Sequence, residues 1–101
     1  MEIKTTVEDK RYIVRLSGDL NILTAPKLAA CLEGMPENLN ILTLDFTDCD
    51  YVSHSGLRLL MKTRKALKDR QGSMDLVNVG PNFLNVLKIT GMIDLFDPET
   101  R

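Results

Sequence analysis

Ser53, His54 and Ser55 are consecutive, and His54 is the only histidine in the chain. Two hydroxyls around an imidazole, followed by Gly56 and a leucine-rich run, have four possible uses. They can cap a helix, act as a nucleophile with its base, bind an ion or small ligand, or offer a surface that a partner or a protein kinase reads. Capping is the mildest, because a serine oxygen accepts from an otherwise unpaired N–H of a helix's first turn and typically stabilises by about 1 kcal/mol. Ser53 and Ser55 both qualify. The same exposed N–H groups and helix dipole make such an end hospitable to an anion. A phosphate on either hydroxyl would be tolerated locally, yet would set about two negative charges on a contact surface and so switch binding.

Catalysis needs a nucleophile, a base within reach and a group that orients the base. On a helix start His54 and Ser55 point about 100° apart, and the chain has no GxSxG and no second histidine. Asp48 is the one further group that an enzyme or small-ligand reading could enlist, so no catalytic residue is assigned. One histidine with Asp48, Cys49 and Asp50 is no recognised metal-ligand pattern. The phosphate cradles GxxxxGK and GxGxxG are absent, so neither metal nor cofactor is expected.

The elements that must position this cluster follow from periodicity. Residues 2–8 alternate with Ile3, Thr5 and Val7 on one face, and residues 12–16 are rich in β-branched and aromatic types. These read as an antiparallel hairpin turning near Glu8-Asp9-Lys10. Thr24 as cap and Pro26 in the first turn predict a helix with Ala25, Leu28, Ala29, Leu32 and Met35 inward, stopped by Gly34 and Pro36. Residues 41–46 are nearly all apolar and too short for a typical helix, which suits a central strand. A second helix follows the Ser-His-Ser cluster, with Leu57, Leu60, Met61 and Leu67 at helical spacing and Gln71-Gly72 at its end. Residues 74–79 read as a strand, and Pro81 opens a third helix carrying Phe83, Val86 and Leu87 up to Gly91. Ile93 to Phe96 read as a short strand or a last turn.

The order is β-β-α-β-α-β-α, an α/β fold with a mixed sheet of four to five strands and helices packed mainly on one face. Loops at the carboxyl ends of parallel strands are the usual functional edge, and the loop after residues 41–46 leads directly to Ser53. The 101 residues suit one domain over 1–101, with 44% apolar and 27% charged residues, a soluble globular balance. A net charge of -1 gives no overall pull toward nucleic acid or anionic lipid. Cys31 and Cys49 lack CxxC spacing and read as reduced thiols. A charged start and the lack of any long apolar run lead us to expect a cytoplasmic protein without membrane insertion.

Three segments in order, LSGDLNILTAPKL, LTLDFTDCDYVSHSGLRLL and VLKITGMIDLF, make the chain resemble the STAS domain in its stand-alone form, the bacterial anti-sigma factor antagonists. The resemblance covers essentially the whole chain. It implies a regulatory binding module and not an enzyme: one that captures an anti-sigma factor, itself a serine-protein kinase, and thereby frees a sigma factor for transcription. Phosphorylation at the start of the helix after the third strand would break that complex, and a phosphatase would reset it. The family pattern is Asp-Ser-Ser/Thr-Gly-Leu with the acceptor two places before the glycine, a place held here by His54. Ser53 stands where the aspartate is usual and Ser55 follows the acceptor place, so Ser55 and Ser53 are the phosphoacceptor candidates. Asn21 replaces the acidic residue that usually follows Gly-Asp-Leu. Either phosphorylation has moved by one residue, or the module binds without a serine switch and His54 is a pH-responsive contact. The expected partner surface is Ser53, His54, Ser55, Gly56 and Arg58, with Asp19, Asn21 and Leu23 beside it. A STAS subunit of an ABC-type lipid transport system, bound to its ATPase, is the alternative on the same fold.

Overall fold

A computed structural model describes residues 1–100. Its order is β1 (Glu2–Glu8), β2 (Arg11–Ser17), α1 (Ala25–Glu33), β3 (Ile41–Asp48), α2 (His54–Asp69), β4 (Ser73–Val77), α3 (Pro81–Ile89) and α4 (Ile93–Phe96). The sheet has four strands in the order β1-β2-β3-β4. β1 and β2 are antiparallel, joined at Glu8↔Arg11, while β2, β3 and β4 run parallel. Only Asp9 and Lys10 link the hairpin, both with positive φ (49° and 65°), the backbone of a type I′ turn that matches strand twist.

Consecutive parallel strands placed side by side and joined by right-handed crossovers put both crossover helices on the same face. Strand alternation agrees: Tyr12, Val14 and Leu16, then Leu42, Leu44 and Phe46, then Met74 and Leu76 are buried. They share one cluster with Leu28 of α1, Leu57, Leu60 and Leu67 of α2, Phe83 and Leu87 of α3, and Phe96 of α4. Phe46 and Phe83 stack tilted, with ring centroids 4.9 Å apart, which fixes α3 over the end of β3. The opposite sheet face is polar. There Arg11 reaches across to Thr43 at 3.2 Å and Asp75 at 3.5 Å, and Arg15 pairs with Asp48 at 3.1 Å.

One open choice is settled and three expectations need correction. Ile93 to Phe96 form a helical turn, the second of the two forms expected, while residues 99 and 100 hold the edge beyond β4: Glu99 N–H donates to Leu76 O, and Val79 N–H to Glu99 O. The fourth strand stops at Val77, since Asn78 adopts a left-handed φ of 57°. Thr24 precedes α1 as expected, but its hydroxyl makes no cap bond to the helix. It turns back to donate to Asp19 O at 2.8 Å and accept from Asn21 N–H at 2.8 Å. Met61, placed in the apolar stripe of α2, is 38% exposed because Leu57, Leu60 and Leu67 already fill the sheet-facing side.

Candidate functional site

The loops leaving the carboxyl ends of β2, β3 and β4 gather at one edge of the sheet. The first two are laced by backbone bonds: Gly18 N–H to Asp48 O at 3.0 Å, Leu20 N–H to Tyr51 O at 2.9 Å, and Ser53 N–H to Leu20 O at 2.8 Å. Leu20 and Val52 form a parallel bridge beyond the strands. This lacing is what brings residues 19–23, remote in sequence, beside the start of α2. Asn21 shapes its own loop by accepting at Oδ1 from the N–H groups of Leu23 (2.9 Å) and Thr24 (3.1 Å), a side-chain turn that an amide or carboxylate of that length can make.

Ser53 is the N-cap of α2, and its Oγ accepts from Gly56 N–H at 3.3 Å. His54, Ser55 and Gly56 occupy the first three helical positions. His54 is exposed, and its Nε2 lies 3.1 Å from Arg58 Nη2 one turn on. Arginine can only donate, so Nε2 is the acceptor and the imidazole proton of this arrangement sits on Nδ1. Among the described residues none hydrogen-bonds the Ser55 side chain. The partners of these groups lie elsewhere than in one another: the imidazole goes to Arg58, the Ser53 oxygen to a backbone N–H, and Asp48 to Arg15.

Gly56 was expected at the contact surface and is buried instead. A Cβ there would lie 2.8 Å from Leu20 Cγ and 3.1 Å from Val52 Cγ1, so the residue is small because the helix start packs directly on the laced loops. Ser53, His54, Ser55, Arg58, Asp19, Asn21 and Leu23 do lie on one edge, with His54, Arg58, Asp19 and Leu23 exposed and the others half-buried.

Two groups of residues at this edge were not foreseen. Exposed apolar side chains stand on the laced loops, Ile22 at 72%, Leu23 at 84% and Tyr51 at 55% exposure, where only Leu23 had been named. Apolar residues in a loop punctuated by Asn21 were the available signal. The second is Asp50, whose Oδ1 accepts from Asn82 N–H (3.1 Å) and Phe83 N–H (3.2 Å) while Oδ2 accepts from Asn82 Nδ2 at 2.9 Å. Gly80, the N-cap of α3, has no side chain to do this. Asp50 thus caps α3 from another loop, an arrangement that sequence spacing does not reveal.

Charge below the edge is also set by hydrogen bonding. Burial works to raise the Asp45 carboxyl, but bonds from Thr47 and Asn78, with Arg15 nearby, outweigh it and hold the group below its ordinary value. Burial pushes the Cys49 thiol up to about 11, with backbone bonds at Leu20 and Tyr51 opposing and the charges of Asp19 and Asp50 adding to the rise. No group of three or more His, Cys, Asp or Glu side chains suited to a metal ion occurs among the described residues. No helix among them is long and apolar enough to cross a membrane.

A chain with these segments and this topology has relatives. It is 29% identical over 96 residues to the anti-sigma-B factor antagonist of Staphylococcus aureus (strain NCTC 8325 / PS 47), covering 94% of this chain and 89% of the relative. Its fold matches the crystal structure of an anti-sigma factor antagonist from Mycobacterium paratuberculosis with a TM-score of 0.87 at 21% identity, over 99% of this chain and 86% of the other. It also matches the anti-sigma factor antagonist SpoIIAA in its unphosphorylated form (TM-score 0.81, 16% identity, 99% and 90% coverage). The phosphorylated form of that protein, from Bacillus, matches with a TM-score of 0.74 at 17% identity, over 99% and 93%. The family model for the STAS domain matches residues 2–101, and with a four-stranded mixed sheet, one helical face and the laced edge at Ser53 the chain belongs to the STAS domain family.

Proposed function

We propose that this protein is an anti-sigma factor antagonist: it binds an anti-sigma factor through the edge formed by the start of α2 and the laced loops, and a phosphate added there releases the partner. The observation that carries the reading is the edge itself. An exposed apolar set, Ile22, Leu23 and Tyr51, adjoins a capped helix start whose polar residues His54 and Arg58 are open to solvent. Aromatic and aliphatic anchors beside a helix terminus form a small contact surface suited to protein recognition. The anti-sigma-B factor antagonist names of the relatives support this partner class over a transport ATPase.

Ser55 is the favoured phosphoacceptor. Its hydroxyl makes no bond within the described residues, whereas modifying Ser53 would use up the oxygen that receives Gly56 N–H. At the second helical position a phosphate also faces the free N–H groups of the first turn, which stabilise it locally. Toward the partner the effect reverses, because about two negative charges with their hydration would enter a surface rich in apolar side chains. The kinase supplying that phosphate is the anti-sigma factor itself, and a phosphatase returns the protein to its binding form in the cytoplasm. Incubating the protein with its cognate anti-sigma factor and ATP, then mapping phosphopeptides, tests the assignment. Phosphate on Ser55 with loss of the complex is expected; a phosphate elsewhere, or none with the complex intact, overturns it.

A further inference from the structure

Helix α2 carries a second, largely exposed side that starts at His54 and borders the core at the buried Leu57. Residues 54, 57, 58, 61, 64, 65 and 68 recur at three- and four-residue steps and so share one side of the helix. Two clefts run end to end along that side and meet at Met61. The upper, about 270 Å³, is lined by His54, Leu57, Arg58 and Met61 against Thr90 and Met92. The lower, about 360 Å³, is lined by Met61, Arg64, Lys65, Lys68 and Asp69 against Leu95. The stretch of α2 that they line as one trough, residues 54–68, is about 21 Å long, the length of a four-turn helix.

The chemistry of the trough is uneven in one direction. Its floor is apolar, from Leu57 and Met61 on one side and Met92 and Leu95 on the other. Its α2 wall holds Arg58, Arg64, Lys65 and Lys68 against the single acid Asp69, in a molecule whose net charge is -1. Arg64 donates to Leu95 O at 3.0 Å, which ties α2 to α4 at the rim of the lower cleft. A purely solvated lysine face would lack the apolar floor, and a phosphate backbone or lipid headgroup would leave that floor unmatched.

We infer that this trough is a docking site for an acidic amphipathic helical segment of a partner protein, with apolar residues at i, i+3, i+4 and i+7 on the floor and carboxylates toward Lys65 and Lys68. Helix-in-groove recognition needs those two features together. The trough is continuous at His54 and Arg58 with the proposed anti-sigma contact, so one partner can span both, yet the inference stands without that reading and is tested without it.

The probe is a labelled 14-residue peptide of Leu, Glu and Ala with its leucines on one helical face. It is titrated into the full chain by fluorescence anisotropy, and its footprint is read by amide chemical-shift mapping. Its controls are a scrambled peptide of the same composition, a Lys-for-Glu version, a short DNA duplex and phosphatidylglycerol vesicles. Binding with shifts confined to residues 54–68 and 90–95 is expected, weakened about tenfold by Lys65→Glu combined with Lys68→Glu, whose thermal melt falls by only a few degrees as Lys68 leaves the last turn of α2. Met61→Glu should weaken it similarly through the floor. No binding, equal binding of the scrambled peptide, tighter binding of DNA or vesicles, or the same shifts on concentrating the protein alone would each overturn the inference. Failure of the anti-sigma complex would leave these results standing, which separates the two readings.

Discussion

At the scale of single residues, Ser53 and Gly56 make the helix start and can be weighed separately. Ser53→Ala removes the oxygen that receives Gly56 N–H, and denaturant unfolding should show a loss of about 1 kcal/mol. Gly56→Ala meets Leu20 and Val52 at 2.8 and 3.1 Å, and the overpacking should cost about 1–3 kcal/mol. The same substitution pushes on the loop that carries Ile22 and Leu23, so partner affinity should fall beyond what lost stability explains. The serines were legible in the sequence because capping preferences are local. The burial of Gly56 was not, since it depends on Leu20, which the backbone bonds between residues 20 and 51–53 bring across. Cys49 gives a chemical check: with its thiol pushed up to about 11 by burial it stays protonated near neutrality. Alkylation of the native protein should therefore label the half-buried Cys31 well before Cys49, as peptide mass analysis would show.

At the scale of elements, the alternation of β2 and the continuous apolar run of β3 were enough to place both strands, with α1 between them. The register of those strands and the identity of the exposed edge loops were not, because both follow from pairing between distant segments. The hairpin turn illustrates the gap. Its position was readable, but Asp9 and Lys10 are both left-handed, a backbone that lysine adopts reluctantly. Lys10→Gly should relieve this and raise stability by about 0.5 kcal/mol after the entropy cost of glycine, measurable as a higher denaturant midpoint at unchanged slope. Asp50 is the other element-level device: it caps α3 from the loop before α2. Asp50→Ala should cost about 1–2 kcal/mol and loosen α3 more than α2, read as earlier hydrogen exchange at residues 82–86.

At the scale of the whole molecule, pH and partner binding report on the arrangement. The Asp45 carboxyl is held below its ordinary value in the folded state, so it favours folding above the unfolded carboxylate range. That contribution is lost as pH falls through the depressed folded value, and Asp45→Asn should flatten the acid limb of the stability curve. What the whole chain does was legible as family resemblance in three ordered segments, whereas the trough along α2 was not, because its far wall comes from residues 90–95. Arg58, Arg64, Lys65 and Lys68 gain an apolar counterpart only where Met92 and Leu95 stand opposite them.

The central claim is that the edge around Ser53, His54 and Ser55 captures an anti-sigma factor in its unmodified state only. Calorimetric titration of the cognate anti-sigma factor with unmodified protein, with the Ser55-phosphorylated form, and with Ser53→Asp combined with Ser55→Asp tests this directly. The account expects a one-to-one complex with unmodified protein and at least about tenfold weaker binding of both charged forms. Equal affinity of all three, or no complex with the unmodified protein, would contradict it.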